Sequence, residues 1–239
     1  MMNTMYYLIL ISHLMSGIGR GNDKIDEIIT QHKKAIGYQA LAEIQSLVLI
    51  GEKEVCIKQY DTCFTSYYIE KRKRPELFYY ESETLGHKVY EGFDGKNLWS
   101  RSRLYDNIDY FDISRYKANL DGLVYLYNRG WIRDSKLIMG EKKVLELDIY
   151  TDHNQQIYVR LNPKTYLITS ILFENFDDNK RYTSEFIFSK YRRVKKIKLP
   201  FKEEFIYNGE LFSILRFNKI LVNQDVKDDE FKRTSHVKE

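Results

Sequence analysis

Few residues in this chain are suited to chemistry, and each has to be weighed against its surroundings. Asp152-His153-Asn154 sets a carboxylate beside an imidazole, the pair that general acid–base catalysis uses. It falls between two strand-like segments, however, where turn formation already accounts for Asp and Asn. Gly17-Ile18-Gly19-Arg20-Gly21 is glycine-rich but lacks the third glycine of a dinucleotide loop, and no strand–helix–strand unit follows it. Cys56 and Cys63, with no histidine nearby, match no zinc spacing. They either pair across neighbouring strands in an exported chain or stay separate thiols. His32 sits on an apolar helix face and reads as a core or rim histidine rather than a ligand. No GxSxG, HExxH or phosphate-loop pattern occurs. The chain is not read as an enzyme, and neither a metal nor a cofactor is expected.

Charge offers two further candidates. Lys71-Arg72-Lys73-Arg74 is one basic run; Lys190 to Lys198 is another, with six basic residues in nine (Lys190, Arg192, Arg193, Lys195, Lys196, Lys198). Such runs attract anionic lipid head groups or acidic partners. Equally, they keep a strand end or turn soluble and block edge-to-edge sheet pairing. The second description is preferred for each run. The formal net charge of +4 is too small to indicate a nucleic-acid binder, and no nucleic-acid partner is expected.

The elements that would position these residues are mostly strands. The 239 residues include 20 Tyr and 13 Phe against only 3 Pro, and aromatic side chains suit pleated, half-buried surfaces. Residues 1–21 read as a signal peptide: Met5 to Met15 is almost entirely apolar but too short to span a bilayer, and small residues follow. The mature chain, 22–239, reads as one domain with its N-terminus near Arg20. Asp23 opens a helix in which Ile25, Ile28, Ile29, His32 and Ile36 recur at helical spacing, ended by Gly37. Short strands follow, with hairpin turns at Asp94-Gly95 and Asn208-Gly209. A second helix is expected over 113–128, its stripe formed by Tyr116, Leu120, Leu123, Val124 and Tyr127. Alternation places Leu145, Leu147, Ile149, Ile157 and Val159 on one face, joined by Phe186, Phe188, Phe205 and Tyr207. These nine are the expected lining of an apolar cavity, and the 113–128 helix its movable lid. The fold class is mostly β with α: a large curved antiparallel sheet, a half-open barrel, covered by two or three helices.

Several phrases then resemble one family. Ala35-Ile36-Gly37 with Leu41 and Ile44-Gln45-Ser46, the segment Lys73-Arg74-Pro75-Glu76-Leu77-Phe78, and the hairpin Tyr90 to Trp99 resemble the LolA-like outer-membrane lipoprotein-sorting family. Tyr191-Arg192, Leu199-Pro200, Ile220 to Val226 and Phe231 are similar to that family's tail, and the matches run in family order. The resemblance implies a periplasmic, monomeric carrier of lipid or of lipoprotein acyl chains, working beside an envelope membrane. The alternative is a non-transporting envelope module, structural or lipid-sensing, with a filled β core.

Overall fold

The structure is a computed structural model that describes residues 22–57, 62–74, 77–84, 87–102, 106–107, 132–139, 143–150, 156–177 and 180–233. The proposed leader (1–21), the lid segment (113–128) and the Asp152-His153-Asn154 turn lie outside them. Helix α1 (Asn22–Ile36) opens the fold and is followed by the short α2 (Tyr38–Ala42). Between them Gly37 takes φ 75, and a Cβ there would lie 2.3 Å from the carbonyl oxygen of Lys196. Only glycine allows both the left-handed turn and that backbone approach.

Among the described residues fifteen strands follow: β1 (Ser46–Ile57), β2 (Thr62–Lys73), β3 (Leu77–Thr84), β4 (His87–Phe93), β5 (Leu98–Ser102), β6 (Asp106–Asn107), β7 (Ile132–Met139), β8 (Lys143–Tyr150), β9 (Gln156–Leu161), β10 (Ile168–Asp177), β11 (Lys180–Ser189), β12 (Arg192–Val194), β13 (Ile197–Leu199), β14 (Lys202–Tyr207) and β15 (Glu210–Val222). Thirteen form one antiparallel sheet in the order β6-β5-β4-β3-β2-β1-β15-β14-β11-β10-β9-β8-β7. Its long-range closure is the pairing of β1 with β15, which joins the two halves of the chain. Among the described residues the sheet does not close, and β6 and β7 are the end strands of its order. β12 and β13 form a separate hairpin. The chain turns between β14 and β15 at Asn208-Gly209, both left-handed, as the sequence predicts.

Each face of the sheet is covered differently, and the period-two alternation decides which residues each cover meets. On the inner face, α1 sets Ile25, Ile28 and Ile29 against Ile132, Leu145, Leu147, Ile149, Ile157, Val159, Leu161, Ile168 and Ile171. Beside it the β12–β13 hairpin and Phe201 pack on Leu49, Tyr68, Phe217 and Ile220. On the outer face the C-terminal tail, ending in a 3-10 turn (Asp228–Phe231), packs Val226 and Phe231 against Val48, Tyr79 and Trp99. The Trp99 indole N–H donates to the Phe231 carbonyl at 2.9 Å, fixing the tail. Cys56 and Cys63 stand opposite one another on β1 and β2 and are joined as a disulfide. The expectation left open by the sequence thus resolves to pairing. No helix among the described residues is long and apolar enough to cross a membrane.

Candidate functional site

A partly open cleft of about 210 Å³ lies on the inner face, lined by Lys53, Tyr68, Tyr80, Phe186, Glu203, Phe205, Ser213 and Leu215. The register explains why these residues meet. Lys53 of β1 stands opposite Leu215 of β15, which stands opposite Glu203 of β14, so one row crosses the cleft floor. The adjacent row runs Val55–Ser213–Phe205–Phe186–Ile171 across β1, β15, β14, β11 and β10. One side of the cleft is therefore charged and the other aromatic.

The aromatic side is a ladder. Phe173 meets Phe186 edge-on at 6.0 Å, Phe186 stacks on Phe205 at 4.9 Å, and Phe205 meets Phe212 edge-on at 5.8 Å. Phe173 packs on the closed core beneath α1, whereas Phe212 is 48% exposed at the β14–β15 hairpin. The ladder thus leads from solvent into the interior.

The charged side is a network. Glu70, only 4% exposed, accepts from the Tyr68 hydroxyl at 2.5 Å and from the Arg72 guanidinium. Burial and the neighbouring Glu70 carboxylate push the Tyr68 hydroxyl well above its ordinary pKa. Burial pulls the Lys53 amine below its usual range, offset in part by Glu91 and Glu70. Its amine also lies over the Tyr80 ring, 5.6 Å from the centroid. Burial raises Glu203 to about 7; Arg72 opposes that shift and Glu70 adds to it.

Glu203 therefore carries a testable pH dependence. Its folded pKa lies above the ordinary carboxylate value of 4.5, so it contributes stability that is complete below that value and lost as pH rises through about 7. Glu203→Gln is expected to stabilise the protein above pH 7 by on the order of 2 kcal/mol and to match the parent near pH 4.5. Urea unfolding at both pH values measures it. A variant no more stable than the parent at high pH would show that Glu203 is solvated.

The residues expected from the sequence to line a cavity lie in two places in the structure. Of the nine residues named, Phe186 and Phe205 line the cleft. Leu145, Leu147, Ile149, Ile157 and Val159 do share one face, where they are buried in one cluster with Ile25, Ile28 and Ile29 of α1. The amphipathic stripe of α1 had to be buried somewhere, and this face is where it lies. Phe188 packs against the same core, and Tyr207 is 43% exposed, stacked on Tyr182. Tyr116, Leu120, Leu123, Val124 and Tyr127, the expected lid, lie outside the described residues. On the opposite face Glu146 is also buried, and Arg160 at 2.8 Å and Lys136 at 2.9 Å hold it. Burial would raise this carboxyl, but those two partners keep it below its ordinary value. His32 is buried in α1, its Nδ1–H donating to the Tyr166 carbonyl at 2.7 Å.

Lys53 and Glu203 were not singled out from the sequence. Lys53 lies beyond Gly51 in a polar stretch of β1, and Glu203 is one of two adjacent glutamates in β14. Only the β1–β15–β14 register shows that both face inward.

No sequence-family model matches the chain, and no curated protein matches it by sequence. Solved structures do. A domain named for outer membrane lipoprotein sorting, from Vibrio parahaemolyticus, superposes with a TM-score of 0.55 at 10% identity, covering 87% of this chain and 96% of that one. This chain has the LolA-like fold. A LolA superfamily protein from Nitrosomonas europaea gives a TM-score of 0.52 at 11% identity, covering 88% and 98%. A DUF1329 family protein from Desulfovibrio piger gives 0.54 at 9% identity, also covering 88% and 98%. The LolA-like fold bears out the architecture expected from the sequence, a large open antiparallel sheet with few helices. At these identities the likeness speaks for fold alone.

Proposed function

We propose that this protein is an exported, periplasmic lipid-binding carrier of the lipoprotein-sorting type, holding an acyl chain against the aromatic side of the cleft without catalysing a reaction. The observation that carries this reading is the Phe173–Phe186–Phe205–Phe212 ladder, which continues an exposed aromatic rim into half-buried rings along the inner face. The described cleft, about 210 Å³, is smaller than the roughly 300–1,000 Å³ of a typical small-molecule site. It would hold one end of a chain, with the remainder lying along the ladder toward Phe212. Burying acyl carbons would supply about 0.8 kcal/mol per methylene. The Cys56–Cys63 disulfide suits an oxidising compartment.

A second reading, a non-transporting envelope module, is favoured by the closed packing beneath α1. Titration with a fluorescent fatty acid separates the two. The carrier reading expects saturable uptake, weakened about tenfold in Phe205→Ala through the lost aromatic contact. Absence of saturable uptake, or uptake indifferent to Phe205, favours the module.

A further inference from the structure

The two basic runs, alike in sequence, have opposite fates in the structure. The first is fully engaged. Lys71 bonds Glu230 and Lys73 bonds Asp228, each at 2.6 Å; Arg72 turns to the other face and pairs with Glu70. Arg74 Nε donates to the Ile44 carbonyl at 2.7 Å. The second run builds the β12–β13 hairpin, and its apolar residues face inward: Ile197 is buried, and Val194 and Leu199 pack on the core. Its cations stay exposed, although Arg192 lies against the Phe201 ring and the Lys195 amine donates to the Val222 carbonyl at 3.4 Å. Lys190, Arg192, Arg193, Lys195 and Lys196 are all exposed. Among the described residues none of these five forms an ion pair with a carboxylate, and neither does Lys198. The C-terminal end of α1 adds Lys33 and Lys34 beside them, because Gly37 abuts the Lys196 backbone.

Two further features mark this surface. Lys190 and Lys195 both take φ 54, a left-handed conformation that Asn or Gly adopts more cheaply. The aromatic rings described at this patch are already engaged, the Tyr38 ring by the Lys33 amine 5.1 Å from its centroid. Phe201 is buried, with Arg192 lying 4.7 Å over its ring, and the Tyr191 hydroxyl is spent on the Ile168 carbonyl. A nucleic-acid groove would offer exposed aromatics to bases. A diffuse, lysine-rich projection instead complements the smeared negative charge of a bilayer.

We propose that the β12–β13 hairpin, with the end of α1, docks this protein on an anionic phospholipid surface. Val194 and Leu199 of the hairpin pack against the same buried cluster as Tyr80 and Leu215, and Tyr68 of that cluster lines the cleft together with those two, so docking would bring the cleft near the membrane. The docking itself does not depend on what the cleft holds.

The test is sedimentation with vesicles of mixed phosphatidylglycerol and phosphatidylcholine, against vesicles of phosphatidylcholine alone. Partition should require the anionic lipid and disappear when salt rises from about 0.05 M to 0.5 M, as screening demands. Lys195→Asn combined with Lys196→Gln should weaken partition about 30-fold, since each basic residue near such a surface contributes about 1 kcal/mol. Asn suits the left-handed turn, so the hairpin should survive; fatty-acid uptake and the urea midpoint should stay at parental values. Phe212→Ser, at the exposed aromatic rim, should leave partition unchanged. The proposal is overturned by equal partition onto neutral vesicles, by no partition at low salt, or by an unaffected double variant. Tighter binding of a single-stranded oligonucleotide or of polyglutamate at the same salt also overturns it. Should the double variant fail to fold, the salt and lipid-charge dependence of the unsubstituted protein decides. Fatty-acid uptake measured without vesicles reports on the carrier reading separately.

Discussion

Arg72→Met is expected to lower stability by about 3 kcal/mol, because it leaves the Glu70 carboxylate buried beside Glu203 with its cation removed. Glu70 is 4% exposed and cannot recover its hydration in place. Its remaining partner would be the Tyr68 hydroxyl, one hydrogen bond to a charge that had two. Arg72 retains 25% side-chain exposure, which is why the value sits at the lower end for broken buried pairs. Adding Glu70→Gln to Arg72→Met should recover most of the loss, since a neutral amide can keep the tyrosine bond without an uncompensated charge. Urea unfolding of the parent, both single variants and the double variant gives the coupling directly. A cost below about 1 kcal/mol for Arg72→Met would mean that water reaches Glu70, and the charged side of the cleft would then be a wet surface.

Arg72 also illustrates how far the sequence could be read. Four consecutive basic residues look like one charged surface, yet strand alternation sends Lys71 and Lys73 to one face and Arg72 to the other. The partners that distinguish them, Glu230 and Asp228, lie 159 and 155 residues away, and nothing local announces them. Signals that act locally were legible. Gly37 ends α1, Gln156–Leu161 alternates cleanly as β9, and Asn208-Gly209 turns β14 into β15. The β12–β13 hairpin was hidden because its charges obscure the apolar alternation of Val194, Ile197 and Leu199. The cleft was hidden for a related reason. It is assembled from β1, β2, β3, β11, β14 and β15, and only the non-local β1–β15 pairing brings Lys53 across from Glu203. The face of Leu147 was legible, but not what covers that face: an apolar row reads the same whether a ligand or a helix lies on it.

Leu147→Ala tells those two covers apart. Leu147 is fully buried, opposite Val159 in the β8–β9 pair and within the cluster that receives Ile25, Ile28 and Ile29 of α1. If the face is a permanent core, truncation opens a void that rigid sheet and helix cannot collapse into, at a cost of about 3–4 kcal/mol. Fatty-acid affinity should then stay at the parental value, because Phe186, Phe205 and Leu215 line a separate cleft. If a ligand instead displaces α1, the apo protein already tolerates an open face. The substitution would then cost about 1 kcal/mol or less, while affinity fell in step with the lost methylenes. Urea midpoints and probe titration on one preparation report both quantities. A large loss of stability with unchanged affinity is the expected result, and it would confine the ligand to the β1–β3, β11 and β14–β15 side of the inner face.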